Sequence, residues 1–271
     1  MARDFEHVVM TRFNLATPGR EHVLRNRAGW LEERFDLFER YCLPSIAAQS
    51  VTDFHWIIYF DEATPDAFRQ RIERCRKVAP FVPYYTGPLE TFDLPRTLHE
   101  TFGFRPDHLL TTRLDNDDAL AIDYVARVQA EVRRQGLRLG GYNVLNGFIL
   151  AHGALYQIAH RSNAFFSFLA PYEENVTTAA SIKHMELAKH APVIQLDGPG
   201  GWLQVVHGGN VSNKIRGTRV SPEAAAGRFP EGLTAGLKPI GPLLRAFENA
   251  VPGAIRGARD AALALRRRLR G

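Results

Sequence analysis

The run His108-Leu109-Leu110-Thr111-Thr112-Arg113-Leu114-Asp115-Asn116-Asp117-Asp118 decides how this chain is read. Residues 108–114 combine Leu109, Leu110 and Leu114 with the β-branched Thr111 and Thr112, so they predict a strand. The next four positions carry three carboxylates, Asp115, Asp117 and Asp118. Such a cluster repels itself, and a fold keeps it when a cation or a hydrogen-bond network compensates the charge. If the chain stays extended here, Asp115 and Asp117 point the same way, because side chains two apart share a face. Hard oxygens of this kind suit Mg²⁺ or Mn²⁺. An ion held by one or two carboxylates keeps open positions for a diphosphate and offsets charge on a leaving nucleotide. The competing reading is a solvated turn that caps the next helix through Asp117 or Asp118. An EF-hand loop does not fit, since its glycine and distal Glu are missing.

Working outward, the pattern is repetitive on the N-terminal side. His7-Val8-Val9-Met10-Thr11-Arg12-Phe13-Asn14 predicts a strand running into a loop. Residues 30–43 place apolar side chains at helical spacing until Pro44 interrupts them. Residues 54–60 form a nearly continuous apolar run, suited to a strand buried on both faces, and end at Asp61. Thr64-Pro65-Asp66 predicts a helix start with Thr64 as N-cap and a helix to about Val78. A third strand is expected over 81–86 and a helix over 121–135. Strands alternating with helices imply a parallel sheet covered on both faces, with ligands beyond the carboxyl ends of the strands. Thr11, Arg12, Asn14, Asp61 and the acidic turn all fall at those ends.

The C-terminal side is less regular. Short strands are expected over 140–146, 147–152, 193–196 and 202–207, and a helix over 179–190. From about Ser221 the chain turns rich in Gly, Pro and Ala. The expected division is therefore 1–220 as the main domain and 221–271 as a linker with a basic helical tail.

Composition bounds the rest. With 271 residues, 45% apolar and 23% charged, the chain can bury a sizeable core and is neither disordered nor membrane-embedded in character. Cys42 and Cys75 are far apart and fit two buried thiols in a reducing compartment. The charged opening Met1-Ala2-Arg3-Asp4-Phe5-Glu6-His7 lacks a signal-peptide core, and no run reaches the length of a membrane span. The expected location is cytoplasmic, with peripheral contact at the inner membrane face. The net charge of +5 resides in residues 243–271, where seven arginines face two acids. The body is neutral and no aromatic interleaves with the arginine cluster from Arg256 to Arg270, which argues against nucleic acid. The tail reads either as a solvated basic segment or as an amphipathic helix on anionic lipid.

Several segments together resemble one family. Arg113-Leu114-Asp115-Asn116-Asp117-Asp118 is similar to the Asp-x-Asp motif of GT-A-fold glycosyltransferases, in the Asp-x-Asp-Asp form of glycosyltransferase family 2. Cys42-Leu43-Pro44-Ser45-Ile46-Ala47-Ala48-Gln49-Ser50 resembles the turn before that family's second strand, and Asp61 the acid that closes the strand. Val206-His207-Gly208-Gly209-Asn210-Val211-Ser212 resembles its closing His-x-x-Asn-x-Ser segment. With Thr11-Arg12-Phe13-Asn14, the set looks most like the rhamnosyltransferase group, over residues 5–216.

The resemblance implies a mixed sheet of GT-A (Rossmann-like) type, flanked by helices, in a metal-dependent inverting glycosyltransferase. Such an enzyme moves a sugar, here rhamnose, from a nucleoside-diphosphate donor to a saccharide or lipid-linked acceptor. Asp117, Asp115 and His207 would hold Mn²⁺ or Mg²⁺. Thr11, Arg12, Asn14, Asp61, Arg113 and Asp115 would line the donor side. The departure lies at the base, where the family's Glu-Asp pair meets Lys183-His184-Met185-Glu186-Leu187. His184 would take the acceptor proton, with Glu186 as partner or substitute and Glu173 or Glu174 as further carboxylates. Trp202, Tyr142, Phe148 and Tyr172 are candidates for stacking on sugar rings. A binding module that kept the fold and lost the base is the alternative. A nucleotidyltransferase is disfavoured, because residues 11–20 hold only Gly19 where a phosphate loop needs several glycines.

Overall fold

The structure is a computed structural model that describes residues 4–15, 25, 27–87, 94–103, 106–173, 176–207, 215–237 and 239–250. Strand β1 (Glu6–Arg12) lies beside β2 (His55–Asp61), β3 (Val82–Thr86) and β4 (His108–Arg113), all parallel. Between them run α1 (Trp30–Leu37), α2 (Leu43–Ala47), α3 (Asp66–Arg76) and α4 (Leu94–Phe102). Beyond the acidic turn come β5 (Ala119–Leu120), α5 (Tyr124–Arg134), β6 (Gly140–Val144), β7 (Asn146–Ala151), β8 (Ala154–Ala159) and β9 (Ser167–Pro171). Then follow a short 3₁₀ turn (His184–Glu186), α6 (Leu187–His190), β10 (Val193–Leu196), β11 (Trp202–Val206) and β12 (Thr218–Val220). A second 3₁₀ turn (Pro222–Ala225), α7 (Glu231–Thr234) and α8 (Pro242–Ala250) close the described chain.

The strands form a seven-stranded sheet in the order β10-β6-β9-β4-β1-β2-β3 and a five-stranded sheet β12-β8-β7-β11-β5. In the large sheet β9 is the one antiparallel member among the described strands, pairing with both β4 and β6. The mixed sheet flanked by helices is the expected α/β class. Strands β5, β8, β9 and β12 and helices α4 and α7 had no counterpart among the elements expected from the sequence. The helix expected over 179–190 shrinks to the seven residues from His184 to His190.

Side-chain alternation on β1 assigns the two faces of the large sheet. Val9 and Phe13 join Phe35, Phe38, Trp56 and Phe60 on one side, and Val8 and Met10 join Ile57, Tyr59 and Leu98 on the other. Both sides are buried, which explains the unbroken apolar run of β2. His7 is fully buried here, its Nε2 2.8 Å from Thr112 Oγ1; burial, helped by Arg133 and His55, holds its pKa down to about 3.

Two departures have clear causes. Pro44 does not end the helix, because a π segment (Phe38–Cys42) precedes it, with Leu43 N–H donating to the Phe38 carbonyl. That widened turn spares the proline ring the clash it would meet in a regular helix. The stretch after residue 220, expected as a linker, packs instead. Ala225, Phe229 and Leu233 enter the core of the small sheet with Tyr41, Phe148, Leu155 and Val205. The basic tail beyond residue 250 lies outside the described residues.

Candidate active site

The acidic turn is clamped from three directions. Leu114 N–H donates to the Met10 carbonyl (3.0 Å), and Asn116 Nδ2 donates to the Phe13 carbonyl (2.8 Å), so the end of β1 holds the turn's entry. Ser45 and Gln49 hold its exit. Leu120 N–H donates to Ser45 Oγ (3.2 Å), Gln49 Nε2 donates to the Ala121 carbonyl (2.8 Å), and Val125 N–H donates to Gln49 Oε1 (3.1 Å). Thus the Ser45–Ser50 segment, quoted for its resemblance, acts physically as the bracket behind the turn. The third clamp is Asp118, whose Oδ1 accepts Val205 N–H at 2.8 Å and fixes the strand that leads into His207.

The turn is not extended. Asp118 N–H donates back to the Asp115 carbonyl (3.2 Å), so the chain curls and Asp115 and Asp117 part. Arg113 chelates Asp115, with Nη2 3.0 Å from Oδ1 and 3.1 Å from Oδ2. Asp117 Oδ2 instead receives Arg34 Nη1 at 2.7 Å and lies 2.8 Å from His207 Nε2. The expectation that Asp115 and Asp117 share one face is therefore corrected. A hydrogen-bonded turn rotates them onto different partners.

The repulsion of three carboxylates is relieved in three ways. Asp115 has Arg113. Burial would raise the Asp117 pKa, but the His207 bond and the Arg34 charge outweigh it and hold the carboxyl below its ordinary value. Asp118 is pushed well above the usual carboxylate range, first by burial and then by Asp117 and Asp115, although Val205 N–H opposes the shift.

Two hollows flank the turn. One, of about 300 Å³, is lined by Met10, Arg12, Tyr59, Arg113, Asp115, Thr178, Ala180 and Ser181. His184 borders its charges: burial first, then Arg113 and His160, lower its pKa, while Asp115 opposes them. Its backbone carbonyl accepts the Ser162 hydroxyl. The imidazole is thereby kept in the neutral form that can accept a proton. The other hollow, a groove of about 500 Å³, is lined by Leu37, Tyr41, Leu150, His152, Val205, His207, Leu233 and Leu237, among others. His152 and Gly153 both have positive φ (52° and 75°), as the two-residue hairpin turn between β7 and β8 requires.

The remaining candidates divide. Arg12, Arg113 and Asp115 reach the smaller hollow together. Thr11 does not, because it lies on the opposite face of β1 from Met10, wholly buried, with its hydroxyl accepting Trp56 Nε1–H (3.1 Å). Asn14 braces the loop after β2: its Oδ1 accepts Asp61 N–H (3.0 Å) and its Nδ2 donates to Thr64 Oγ1 (3.1 Å). Asp61 accepts Ala63 N–H (2.7 Å) and pairs with Arg25. Glu186 is half-buried in the turn with His184. Glu174 and residues 208–212 of the His-Gly-Gly-Asn segment lie outside the described residues. Tyr142, Phe148 and Trp202 are core residues, 0%, 1% and 2% exposed, so they cannot stack on a sugar. Trp202 lies 4.9 Å from Phe165 in a stacked pair and fills the space left by Gly147, whose added Cβ would sit 2.1 Å from the indole.

Arg34, Asn116, Ser45 and Gln49 went unassigned in the sequence reading. Only the last two carried a local signal, the Ser-Ile-x-x-Gln spacing. Arg34 is 83 residues from its partner, and nothing in its helix distinguishes it from a surface arginine. Among the described residues, no group of three or more His, Cys, Asp or Glu side chains is arranged to hold a metal ion. Nor, among them, is any helix long and apolar enough to cross a membrane.

Comparison with known proteins supplies the family. The family described as "Putative rhamnosyl transferase" matches residues 6–219. The chain belongs to that family of glycosyltransferases. No curated protein matches it in sequence. Among solved structures, S. aureus TarS 1-349 in complex with UDP-GlcNAc is similar at 12% identity and a TM-score of 0.47, covering 81% of this chain and 63% of that one. The same TarS fragment in complex with UDP gives 11% identity and a TM-score of 0.46, covering 92% and 68%. This chain spans 37% of a longer TarS chain (10% identity, 74% of this chain covered, TM-score 0.45). Likeness at this level decides nothing about chemistry.

Proposed function

We propose that this member of the rhamnosyl transferase family is a metal-dependent inverting glycosyltransferase, with a nucleoside-diphosphate sugar as donor and a saccharide or lipid-linked hydroxyl as acceptor. The observation that carries it is the meeting of Asp117 Oδ2 and His207 Nε2 at 2.8 Å, from positions 90 residues apart, at a turn that also holds Asp115, whose charge and that of Arg113 act on His184.

The residues fit a divalent ion. A carboxylate oxygen and an imidazole nitrogen lie 2.8 Å apart, a spacing that two neighbouring ligands of one ion can have, and Arg34 meets the same oxygen as a cation. Two protein donors leave the other positions to water and diphosphate oxygens, the arrangement Mg²⁺ favours at phosphate-transfer sites. Asp117 and His207 would hold it. Asp115, turned toward Arg113, is assigned to the donor rather than to the metal. When bound, the ion would supply positive charge to the departing diphosphate. Arg12 and Arg113 line the smaller hollow, and a guanidinium presents a donor pair to a phosphate. We assign that hollow, whose charges His184 borders, to the donor and the reacting acceptor hydroxyl, and the groove beside His207 to the remainder of the acceptor.

His184 is the proposed base. It takes the proton of the acceptor hydroxyl as the oxygen attacks the anomeric carbon and the nucleoside diphosphate leaves, which inverts that carbon. Glu186 is the second choice. Positioning and leaving-group stabilisation supply most of the acceleration. The family description makes rhamnose the first sugar to try. The arginines after residue 250 are assigned to an anionic lipid surface, in keeping with a peripheral enzyme at the inner membrane face.

The test is nucleotide release from a panel of nucleotide sugars with and without Mn²⁺. One donor should give Mn²⁺-dependent release and an inverted product, and Asp117→Ala should lose both. Release that is indifferent to Asp117→Ala sinks the proposal. Donor binding without turnover on any acceptor points to a binding module instead.

A further inference from the structure

Helix α8 presents its faces in the reverse of the usual order. Its half-buried side carries Arg245, Glu248 and Asn249. Asn249 fastens it to β12: Arg219 N–H donates to Asn249 Oδ1 (2.7 Å), and Asn249 Nδ2 donates to the Arg219 carbonyl (3.1 Å). The outward side carries Leu243, Leu244 and Phe247, which are 87%, 55% and 67% exposed. Residues three and four apart are neighbours on a helix, so these side chains form one stripe. A surface helix ordinarily turns such a stripe to the core. The other large apolar side chains exposed among the described residues, Val78, Leu139 and Met185, are scattered singly and need no explanation.

Charge indicates what covers the stripe. The sequence after α8 holds Arg256, Arg259, Arg266, Arg267, Arg268 and Arg270 against Asp260 alone. A second copy would bring two such cationic segments together and repel. An apolar stripe beside clustered arginines matches an anionic bilayer, whose acyl boundary accepts Leu and Phe while its phosphates accept guanidinium groups.

We propose that α8 is a membrane-docking helix that inserts Leu243, Leu244 and Phe247 into the headgroup boundary of an anionic bilayer. The inference rests on the lipid contact assigned above to the tail and adds the apolar element that anchors it. Leu237 lines the groove beside His207, and Pro242 opens α8 five residues later, at most about 18 Å of extended chain. The docked helix therefore keeps that groove near the bilayer, which selects an acceptor that is itself lipid-linked.

The test uses the full chain and vesicles of phosphatidylcholine, with or without phosphatidylglycerol. The wild type should co-sediment with the anionic vesicles. The triple variant Leu243→Ser, Leu244→Ser, Phe247→Ser should partition at least about tenfold less, through lost apolar burial. Its melting temperature should stay that of the wild type. If the triple variant binds as well as the wild type and salt releases both, charge alone acts and α8 has no docking role, while the tail's lipid contact stands. A wild type that ignores anionic vesicles overturns both. A wild-type dimer in light scattering that the triple variant abolishes, without vesicle binding, makes the stripe a protein interface and also overturns the proposal.

Discussion

Asp115 and Asp117 sit two residues apart in one turn, yet their surroundings share almost nothing. Asp115 is paired with an arginine two positions away, and its side chain is 36% exposed. Asp117 is paired with an arginine and a histidine from distant segments, and its side chain is 9% exposed. The first arrangement is local and open, so it can exchange partners with a ligand cheaply. The second exists only when α1, the turn and the end of β11 are all in place, and breaking it strands a buried charge. The turn thus separates a site built for exchange from one built for fixed geometry.

The largest expected effect tests that separation directly. Asp117→Ala should lower donor-dependent turnover by about a thousandfold, the scale of losing a main electrostatic stabiliser of the leaving group. Asp115→Ala should cost about tenfold, mostly as a raised donor KM. Equal losses would erase the distinction. Next comes stability, read by urea unfolding. Arg34→Ala leaves Asp117 buried without its guanidinium and should cost about 3 kcal/mol. Arg113→Ala, at a more exposed pair, should cost less than about 1 kcal/mol. The reverse order would show that the Asp117 pair is not a buried contact in solution. Between those two, Gln49→Leu removes the bracket behind both carboxylates, leaves buried backbone groups unpaired, and should cost about 1–3 kcal/mol. The smallest signal is in pH. The lowered pKa of His184 means that its neutral, proton-accepting form persists as pH falls. The rate per KM should stay level down to an ordinary imidazole value of about 6.5 and decline only below it. An acid limb with its midpoint above that value counts against His184 as the base.

Much of this site is legible from local residues. The parallel β1–β4 frame follows from apolar runs that end in polar residues. The acidic turn stands out because three carboxylates cannot sit together uncompensated. The Ser45–Ser50 segment carries a distinctive spacing, although its role behind the turn depends on contacts with Leu120, Ala121 and Val125. Other features lacked any local signal. Tyr142, Phe148 and Trp202 read as sugar platforms from residue type, but aromatic type alone cannot separate a core ring from an exposed one. Thr11 reads as a site residue from its place at a strand end, and its side of the strand decided otherwise. The segment after residue 220 has the Gly and Pro of a linker, yet a few well-spaced apolar residues, Ala225, Phe229 and Leu233, suffice to pack it.

The sequence by itself determined the sheet class, the acidic turn and the dipole-like separation of a neutral body from a basic end, because these depend on periodicity and on charge counted along the chain. Only the tertiary structure decided which cation each carboxylate meets. Arg34 and His207 reach Asp117 across 83 and 90 residues. Such pairs are set by how helices and strands pack, which no local pattern encodes. The curl of the turn, which sends Asp115 one way and Asp117 the other, belongs to the same class. It depends on brackets supplied by β1, α2 and β11, and those meet only once the chain has folded.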